Sequence, residues 1–158
     1  MKSSLTTYRY GSRREAHEGL RVGVARHVPR GVRREDWQRE GYFDLWVPLL
    51  APDADLVHQY RHGEITFAVF SRHYRAEMKK RESLQVIELL AGISLFLPIS
   101  IGCFCEDEAH CHRSILKEIL TKSAKAKSAG FSALQLSSDV QEVSRFASPV
   151  CFANDLHD

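Results

Sequence analysis

A nearly continuous apolar segment, Leu95–Cys105, limits the folds that this 158-residue chain can adopt. Such a run is typical of a strand buried on both faces, as in the centre of a parallel sheet. An amphipathic helical pattern follows, which is predicted to run to about Ala129 and to end at Gly130. Its apolar side is formed by Ile115, Leu116, Ile119 and Leu120. Because parallel strands need long crossover connections, usually helices, these two segments together predict an α/β fold.

Two further strands and three further helices fit this class. The strands are predicted at Leu20–Ala25, which alternates apolar with small or polar residues, and at Tyr42–Val47, which is rich in aromatic and β-favouring residues. The helices are predicted from Asp53 to about Arg61, over Glu64–Arg81, and from Ser83 to Gly92. Asp53 is the predicted N-cap of the first of these helices, and Ser83 is that of the third.

Both ends of the chain are expected to be peripheral extensions. Residues 1–19 are polar and are predicted to be irregular or extended. Residues 131–158 are ambiguous, with a strand pattern at Phe131–Leu136 and a helix cap at Ser138 or Asp139. We therefore predict a single α/β domain over residues 1–158. Its small, largely parallel sheet is expected to be flanked by helices in a three-layer, Rossmann-like arrangement.

Composition excludes several classes of protein. A hydrophobic fraction of 44% and a charged fraction of 27% are those of a folded domain rather than of a disordered chain. The sequence contains no apolar run of the roughly 20 residues that span a bilayer, and residues 1–8 lack the apolar core of a signal peptide. We therefore expect a cytoplasmic protein without a membrane partner. Its cysteines are then thiols or metal ligands rather than structural disulfides.

Three of the four cysteines lie in one short segment, Cys103–Ser114, together with two histidines and one arginine. This segment joins the predicted central strand to the next helix, where free backbone N–H groups and the positive end of the helix dipole converge. Ligand sites of α/β proteins usually lie at this position. A second loop, Arg26–Val32, follows the first predicted strand. Parallel strands bring their carboxyl ends to one edge of the sheet, so we expect the two loops to be neighbours.

Four ordered pieces of the chain carry a resemblance to a known family. They are Arg26–Val32, Tyr42–Pro52, Phe70–Met78 and Cys103–Leu116. In that order they are similar to the patterns Arg-x-x-Pro-Arg-Gly-Val, a segment ending Leu-Ala-Pro, Phe-x-x-x-Tyr-x-x-Glu-Met and Cys-x7-Cys-His-Arg-x-x-Leu. These patterns resemble the DUF488 family, in particular its YeaO-like members, over about residues 20–120. The resemblance implies a compact α/β domain and carries no established reaction, substrate or cofactor.

The first functional hypothesis is a thiol-dependent enzyme with Cys103, Cys105, Cys111 and His112 as its catalytic residues. Cys111 is predicted at or near the N-cap of a helix, where the helix dipole and neighbouring cations favour the reactive thiolate. Cys103 and Cys105 point to the same side of a strand. Either is then a resolving partner for Cys111, or Cys105 is itself the nucleophile. A small anionic or phosphate-bearing substrate is expected to bind to Arg26, Arg30 and Arg113.

The second hypothesis is a metal site, with zinc as the expected ion. Soft thiolate ligands and an imidazole suit tetrahedral zinc. The spacing is unusual, because a single residue separates the first two cysteines where structural zinc sites have two to four. The predicted ligands are Cys103, Cys105, Cys111 and His112 or His110.

The third hypothesis is a nucleic-acid or nucleotide binding module. Residues 1–40 contain ten Lys or Arg against five Asp or Glu, and such a lobe can contact phosphates. The predicted contacts are Arg13, Arg14, Arg26, Arg30, Arg33 and Arg34, flanked by Tyr42 and Trp46. Purely structural roles stay open beside all three hypotheses. The basic lobe is then a solvated surface, Cys103 a small buried residue, and Arg113 the partner of Glu106 or Asp107.

Overall fold

A computed structural model describes residues 4–135, with the side chains of residues 4–130. Its sheet has four strands in the order β1-β4-β2-β3, and all three neighbouring pairs are parallel. The strands are β1 (Leu5–Arg9), β2 (Leu20–Gly23), β3 (Leu45–Trp46) and β4 (Ile99–Cys103). The helices are α1 (Ala54–Arg61), α2 (Phe67–Glu77), α3 (Arg81–Ile93) and α4 (His112–Gln135). The predicted α/β domain with a parallel sheet is confirmed.

Strand β4 lies at the centre of the sheet, as its apolar sequence predicts. All five of its residues are buried, and it pairs with β1 on one side and with β2 on the other. The strand begins at Ile99 rather than at Leu95. The amides of Leu95 and Leu97 bond to carbonyls at the end of α3, and Pro98, which lacks an N–H group, precedes the strand.

Strand β1 is an edge strand that the sequence does not reveal. Leu5–Arg9 pairs along the whole of β4, with Leu5 opposite Ile99 and Arg9 opposite Cys103. These five residues are extended, which is one of the two conformations predicted for residues 1–19, and they form part of the sheet. Thr6 and Thr7 weaken the apolar alternation of this segment. Its strand conformation therefore depends on the hydrogen bonds that it forms with β4.

The two helices after β3 begin at side-chain caps. The carboxylate of Asp53 accepts a hydrogen bond from the Asp55 amide at the start of α1, as predicted. The hydroxyl of Thr66 does the same for the Val69 amide at the start of α2, so α2 begins three residues later than predicted. The cap predicted for α3 is wrong. That helix begins at Arg81 after Lys80, and Ser83 lies buried within its first turn.

Helix α4 is longer than predicted. It continues through Gly130 to Gln135, so Gly130 does not end it and residues 131–135 are helical rather than a strand. The apolar side formed by residues such as Leu116 and Leu120 packs into the core and outweighs the low helix propensity of a single glycine. Leu136 and the helix cap predicted at Ser138 or Asp139 lie outside the described residues.

The two faces of the sheet are covered differently. On one face, Val22 and Ile101 share a core with helical residues that include Tyr74, Leu116 and Leu120. Loop segments cover the other face. There the ring of Tyr8 packs against Gly102, where a Cβ atom would overlap it, and the Tyr8 hydroxyl donates a hydrogen bond to the carbonyl of Tyr42. The outer layer on this face is thus formed by loops rather than by helices, which corrects that part of the three-layer expectation.

Within residues 4–135, no helix combines the length and the apolar character that a bilayer crossing requires.

Candidate active site

The cysteine-rich loop joins the central strand to the longest helix. Cys103 ends β4, and Cys111 immediately precedes α4, whose first residue is His112. The carbonyl of Cys111 accepts hydrogen bonds from the amide and the hydroxyl of Ser114, which fixes the first turn of the helix. This loop lies at the carboxyl edge of a parallel sheet, where the sequence places a ligand site.

Three sulfur atoms and one imidazole nitrogen meet in this loop. The Sγ atoms of Cys103 and Cys105 are 3.7 Å apart. The Nδ1 atom of His112 lies 3.7 Å from the Sγ of Cys111 and 4.0 Å from the Sγ of Cys103. Cys103, Cys111 and His112 are buried, whereas Cys105 is half-buried. The structure therefore groups Cys103, Cys111 and His112 within 4.8 Å of one another, with Cys105 in contact with Cys103.

His112 is held with one nitrogen turned toward the sulfur atoms. Its Nε2 lies 3.1 Å from the carbonyl oxygen of Val24, and a carbonyl only accepts, so this nitrogen carries the hydrogen. The bare Nδ1 then faces Cys103 and Cys111. The ring of Tyr74 meets the imidazole edge-on at 5.6 Å. Burial lowers the pKa of His112, which favours the neutral ring.

The three thiols differ strongly in acidity. Hydrogen bonds from Cys103 and then Cys111 lower the pKa of the Cys105 thiol, and the Arg113 guanidinium adds to this effect. The pKa of Cys111 is raised, first by its hydrogen bond with Cys103, then by that with Cys105 and by burial. The pKa of Cys103 is also raised, first by its hydrogen bond to Cys105. Of the three thiols, only Cys105 has a lowered pKa, and it is the most exposed of the three residues.

Arg113 binds the backbone of the loop. Its Nη1 donates to the carbonyl of Cys105 at 2.7 Å and to that of Cys103 at 3.5 Å, and its Nη2 donates to the carbonyl of Glu106 at 3.4 Å. The side chain is buried, and its Nε has no hydrogen-bond partner among the described residues. Arg113 thus holds the loop in place and brings a positive charge close to the sulfur atoms.

A cavity of about 320 Å³ opens onto the cluster. Its walls combine apolar side chains with arginine and histidine side chains, and all three sulfur-bearing residues line it. The lining residues are Ala25, Arg26, His27, Pro52, Ala54, Val57, Tyr60, Arg61, Phe70, Cys103, Phe104, Cys105, His110, Cys111 and His112.

The three arginines predicted to bind substrate occupy different places. Arg26 lines the cavity, and its Nη2 also donates to the carbonyl of Pro52 at 2.6 Å. Arg30 is exposed and does not line the cavity. Arg113 lies beneath the loop and is likewise not part of the lining. The loops therefore meet as expected, and of the three arginines only Arg26 lines the cavity.

Sequence reasoning missed Arg61 and the aromatic wall of the cavity. Arg61 ends α1, and Tyr60 and Phe70 belong to two helices that cross this edge of the sheet. Helical periodicity places Phe70 in a core stripe, and nothing in the local sequence marks Arg61. Only the packing of α1 over the cysteine loop brings it to the cavity.

His110 takes a different place from the metal-ligand role considered above. It lines the cavity, but its Nδ1 bonds to the carboxylate of Asp107 at 2.6 Å rather than to a sulfur atom. Of the two alternatives for the imidazole of the cluster, the structure places His112 beside the cysteines.

Acidic partners neutralise much of the basic lobe. Arg14 pairs with Asp44, Arg33 and Arg39 both pair with Asp36, and Arg21 is buried against Glu18. Arg13 and Arg34 are exposed. The positive charge expected from the sequence is therefore reduced by these pairs within the lobe.

The comparisons with known proteins agree with the resemblance carried by the four motifs. No curated protein and no solved structure matches the chain. A family model, described as the active DUF488-N3 subclade, matches residues 5–124 and so includes β1, the sheet and the whole cysteine loop. The chain therefore belongs to the DUF488-N3a family.

Proposed function

We propose that this protein is a thiol-dependent enzyme in which the Sγ of Cys105 attacks a small anionic substrate bound in the adjoining cavity. One observation carries the proposal. Cys105 is the half-buried member of a cluster of three thiols, it lines the cavity, and its neighbours Cys103 and Cys111 are buried. A thiolate is the nucleophilic form of cysteine, and a site that stabilises it at an accessible position suits covalent catalysis.

The acidic residues of the loop leave this sulfur free of a competing carboxylate. The carboxylate of Glu106 binds Arg9 at 2.8 Å on the surface, and that of Asp107 binds His110. Glu108 is exposed. The nearest buried cation, Arg113, has no carboxylate partner within the described residues. The local charge balance therefore favours an anionic sulfur.

The shape of the cavity supports a small organic anion as substrate. Its volume lies near the lower end of the range for small-molecule sites. Val57, Tyr60 and Phe70 supply apolar surface, while Arg26 and Arg61 supply positive charge. The description of the family as an active subclade also supports an enzymatic role.

Alkylation of Cys105 by iodoacetamide, mapped by mass spectrometry of the modified peptide, tests the proposal. A free cysteine loses about tenfold in rate for each pH unit below its pKa of about 8.5. Cys105 is expected to keep a nearly constant rate between about pH 8 and pH 5, because it stays ionised. Replacing Cys151, the fourth cysteine, by Ser removes the background, and the Cys105→Ser variant is the matched control. A rate at Cys105 that falls like that of free cysteine would refute the proposal.

A second candidate function, metal binding, is favoured by the spacing of the same atoms. Bond lengths of about 2.3 Å to sulfur and about 2.1 Å to nitrogen give tetrahedral ligand separations of roughly 3.5–3.8 Å. The ligand atoms of Cys103, Cys111 and His112 all lie within 4.8 Å of one another, and the separations of 3.7 and 4.0 Å from Nδ1 of His112 to the two sulfur atoms are close to these values. The bond from Nε2 of His112 to a backbone carbonyl is also typical of a histidine that ligates a metal.

Metal analysis separates the two candidates. The protein would be purified without a histidine tag, dialysed, and assayed for zinc together with Cys105 alkylation. The enzyme proposal expects a folded, metal-free protein with a reactive Cys105. One zinc ion per chain that survives dialysis and protects Cys105 from iodoacetamide would favour the metal centre instead. Loss of that zinc in a Cys103→Ser variant, but not in Cys151→Ser, would assign it to the cluster.

A further inference from the structure

We infer that His110 is the proton donor and acceptor of this site, that Asp107 positions it, and that the substrate atom attacked by Cys105 is an uncharged acyl carbon. The inference rests on the proposed function, because it takes Cys105 as the nucleophile. It assigns roles to two residues of the loop that the sulfur cluster does not use.

The imidazole of His110 is held by two contacts. Its Nδ1 lies 2.6 Å from Oδ2 of Asp107, and its ring meets that of Phe67 edge-on at 5.2 Å. The other carboxylate oxygen of Asp107 accepts a hydrogen bond from the amide of Ala109 at 2.9 Å, which fixes the carboxylate itself. A histidine oriented in this way through one nitrogen exchanges protons through the other, here Nε2.

His110 is better placed for this role than the other imidazoles of the cavity. His112 is buried and its Nε2 is bound to the carbonyl of Val24. His27 also lines the cavity, but no carboxylate of the described residues lies in contact with its ring. His110 lines the same cavity as Cys105 and follows it by five residues in one loop. Nucleophile, imidazole and carboxylate thus form a Cys-His-Asp set within six consecutive positions.

The charge of the proposed Cys105 thiolate favours an acyl carbon over a phosphoryl group. A phosphoryl centre carries negative charge, which the attacking thiolate would repel. A carbonyl carbon is neutral. The anionic part of the substrate then lies away from the reacting atom, toward Arg26 and Arg61.

The reaction is a hydrolysis with water as the second reactant. The substrate is an ester. The Cys105 thiolate forms a bond to its acyl carbon, and the bond from that carbon to the oxygen of the leaving alcohol breaks. The leaving oxygen takes the proton from Nε2 of His110. This donor is needed because a thiolate is itself a good leaving group and would otherwise be expelled. Neutral Nε2 then accepts a proton from water, whose oxygen attacks the thioester. The carbon–sulfur bond breaks, which releases the acid and restores the thiolate and the protonated imidazole.

Two aryl esters with different leaving groups test the inference. Phenyl acetate needs a proton on its leaving oxygen more than 4-nitrophenyl acetate does. Single-turnover acetylation of Cys105 would be measured by mass spectrometry for both esters, beside iodoacetamide alkylation, which needs no proton donor. The first variant is His110→Gln, and its control is His73→Gln, which replaces an exposed histidine of α2. The second variant is Asp107→Asn, and its control is Glu108→Gln. Asp107→Glu tests rescue.

We expect His110→Gln to reduce acetylation by phenyl acetate about 100-fold, within the usual range for general acid catalysis. The loss with 4-nitrophenyl acetate should be much smaller, and alkylation should not change. Asp107→Asn should show the same leaving-group dependence to a lesser degree, with partial recovery in Asp107→Glu. His73→Gln and Glu108→Gln should match the wild type.

The possible failures are distinguishable. Equal effects of His110→Gln on the two esters, or no effect on either, would overturn the inference while alkylation of Cys105 still supports the proposed nucleophile. A wild-type protein that is alkylated at Cys105 but acetylated by neither ester faster than free cysteine would overturn the acyl assignment. A Cys105 alkylated no faster than free cysteine at about pH 5 would remove the proposed function and this inference together.

Discussion

Arg21 and Arg113 are both buried cations next to the central strand, and their surroundings differ. All five N–H groups of Arg21 have acceptors: Nε donates to the Glu18 carboxylate at 2.6 Å, and the others donate to backbone carbonyls and a hydroxyl. Its guanidinium also lies 4.3 Å above the ring of Tyr8. Arg113 binds only loop carbonyls, and its Nε is unpartnered within the described residues.

The two arginines therefore differ in what their charge acts on. Glu18 neutralises the charge of Arg21. The positive charge of Arg21 therefore has little effect on groups outside this ion pair. The charge of Arg113 is not matched by a carboxylate, and it acts on the nearby sulfur atoms instead. A buried charge that is fully paired holds the fold together, while one that is incompletely paired can favour an anion beside it.

The largest expected effect is on stability, at Arg21. Replacing Arg21 by Met leaves the Glu18 carboxylate buried without its partner, which should lower the free energy of unfolding by about 3–5 kcal/mol. Urea unfolding followed by circular dichroism measures this. Arg13→Met, at an exposed position, is the matched control and should change little. A loss at Arg21 no larger than that at Arg13 would contradict the structural role of this pair.

Arg113→Met tests the other half of the comparison. Removing this charge should raise the pKa of Cys105, so the pH midpoint of its iodoacetamide alkylation should move upward by about one unit or more. Arg113→Lys keeps a positive charge and should shift the midpoint less, although it loses the bonds to the loop carbonyls. An unchanged midpoint in Arg113→Met would show that the cation does not act on the sulfur.

The acidity of the thiols should also appear in the pH dependence of stability. The pKa of Cys105 is lowered in the folded protein, so its contribution is complete above the pKa of an unfolded thiol, about 8.5, and declines as the pH falls below that value. The raised pKa values of Cys103 and Cys111 act oppositely and reduce stability above about pH 8.5. Urea unfolding at several pH values should show the low-pH decline weakened in Cys105→Ser. An identical dependence of the free energy of unfolding on pH in Cys105→Ser would contradict the predicted contribution of Cys105.

The smallest effect is expected at the cavity arginines. Arg61→Ala should slow alkylation of Cys105 by the anion iodoacetate relative to neutral iodoacetamide, by a factor of about 2 to 5, as for a partly exposed charge. Arg30→Ala, outside the cavity, should leave this ratio unchanged. Equal changes in both variants would mean that the overall charge of the protein, rather than the cavity, selects the anion.

The fold was predictable where local sequence and burial agree. The apolar run predicted a central strand because β4 is buried on both faces, and Asp53 predicted the start of α1 because a side-chain cap is a local interaction. Strand β1 and the late end of α4 were not predictable in the same way. Leu5–Arg9 forms a strand because it bonds to β4. Helix α4 continues past Gly130 because the rest of the helix packs against the core.

The sequence by itself determined that sulfur, imidazole and guanidinium gather between a buried strand and a helix. These residues are adjacent in the chain, and the topology of a parallel sheet brings that seam to one edge. Only the tertiary structure decided their exposure and charge pairing. Exposure of Cys105, burial of Cys103 and Cys111, and the entry of Arg61 into the cavity depend on contacts between segments distant in the chain. Solvation and charge pairing are properties of the packed molecule, and residue spacing does not encode them.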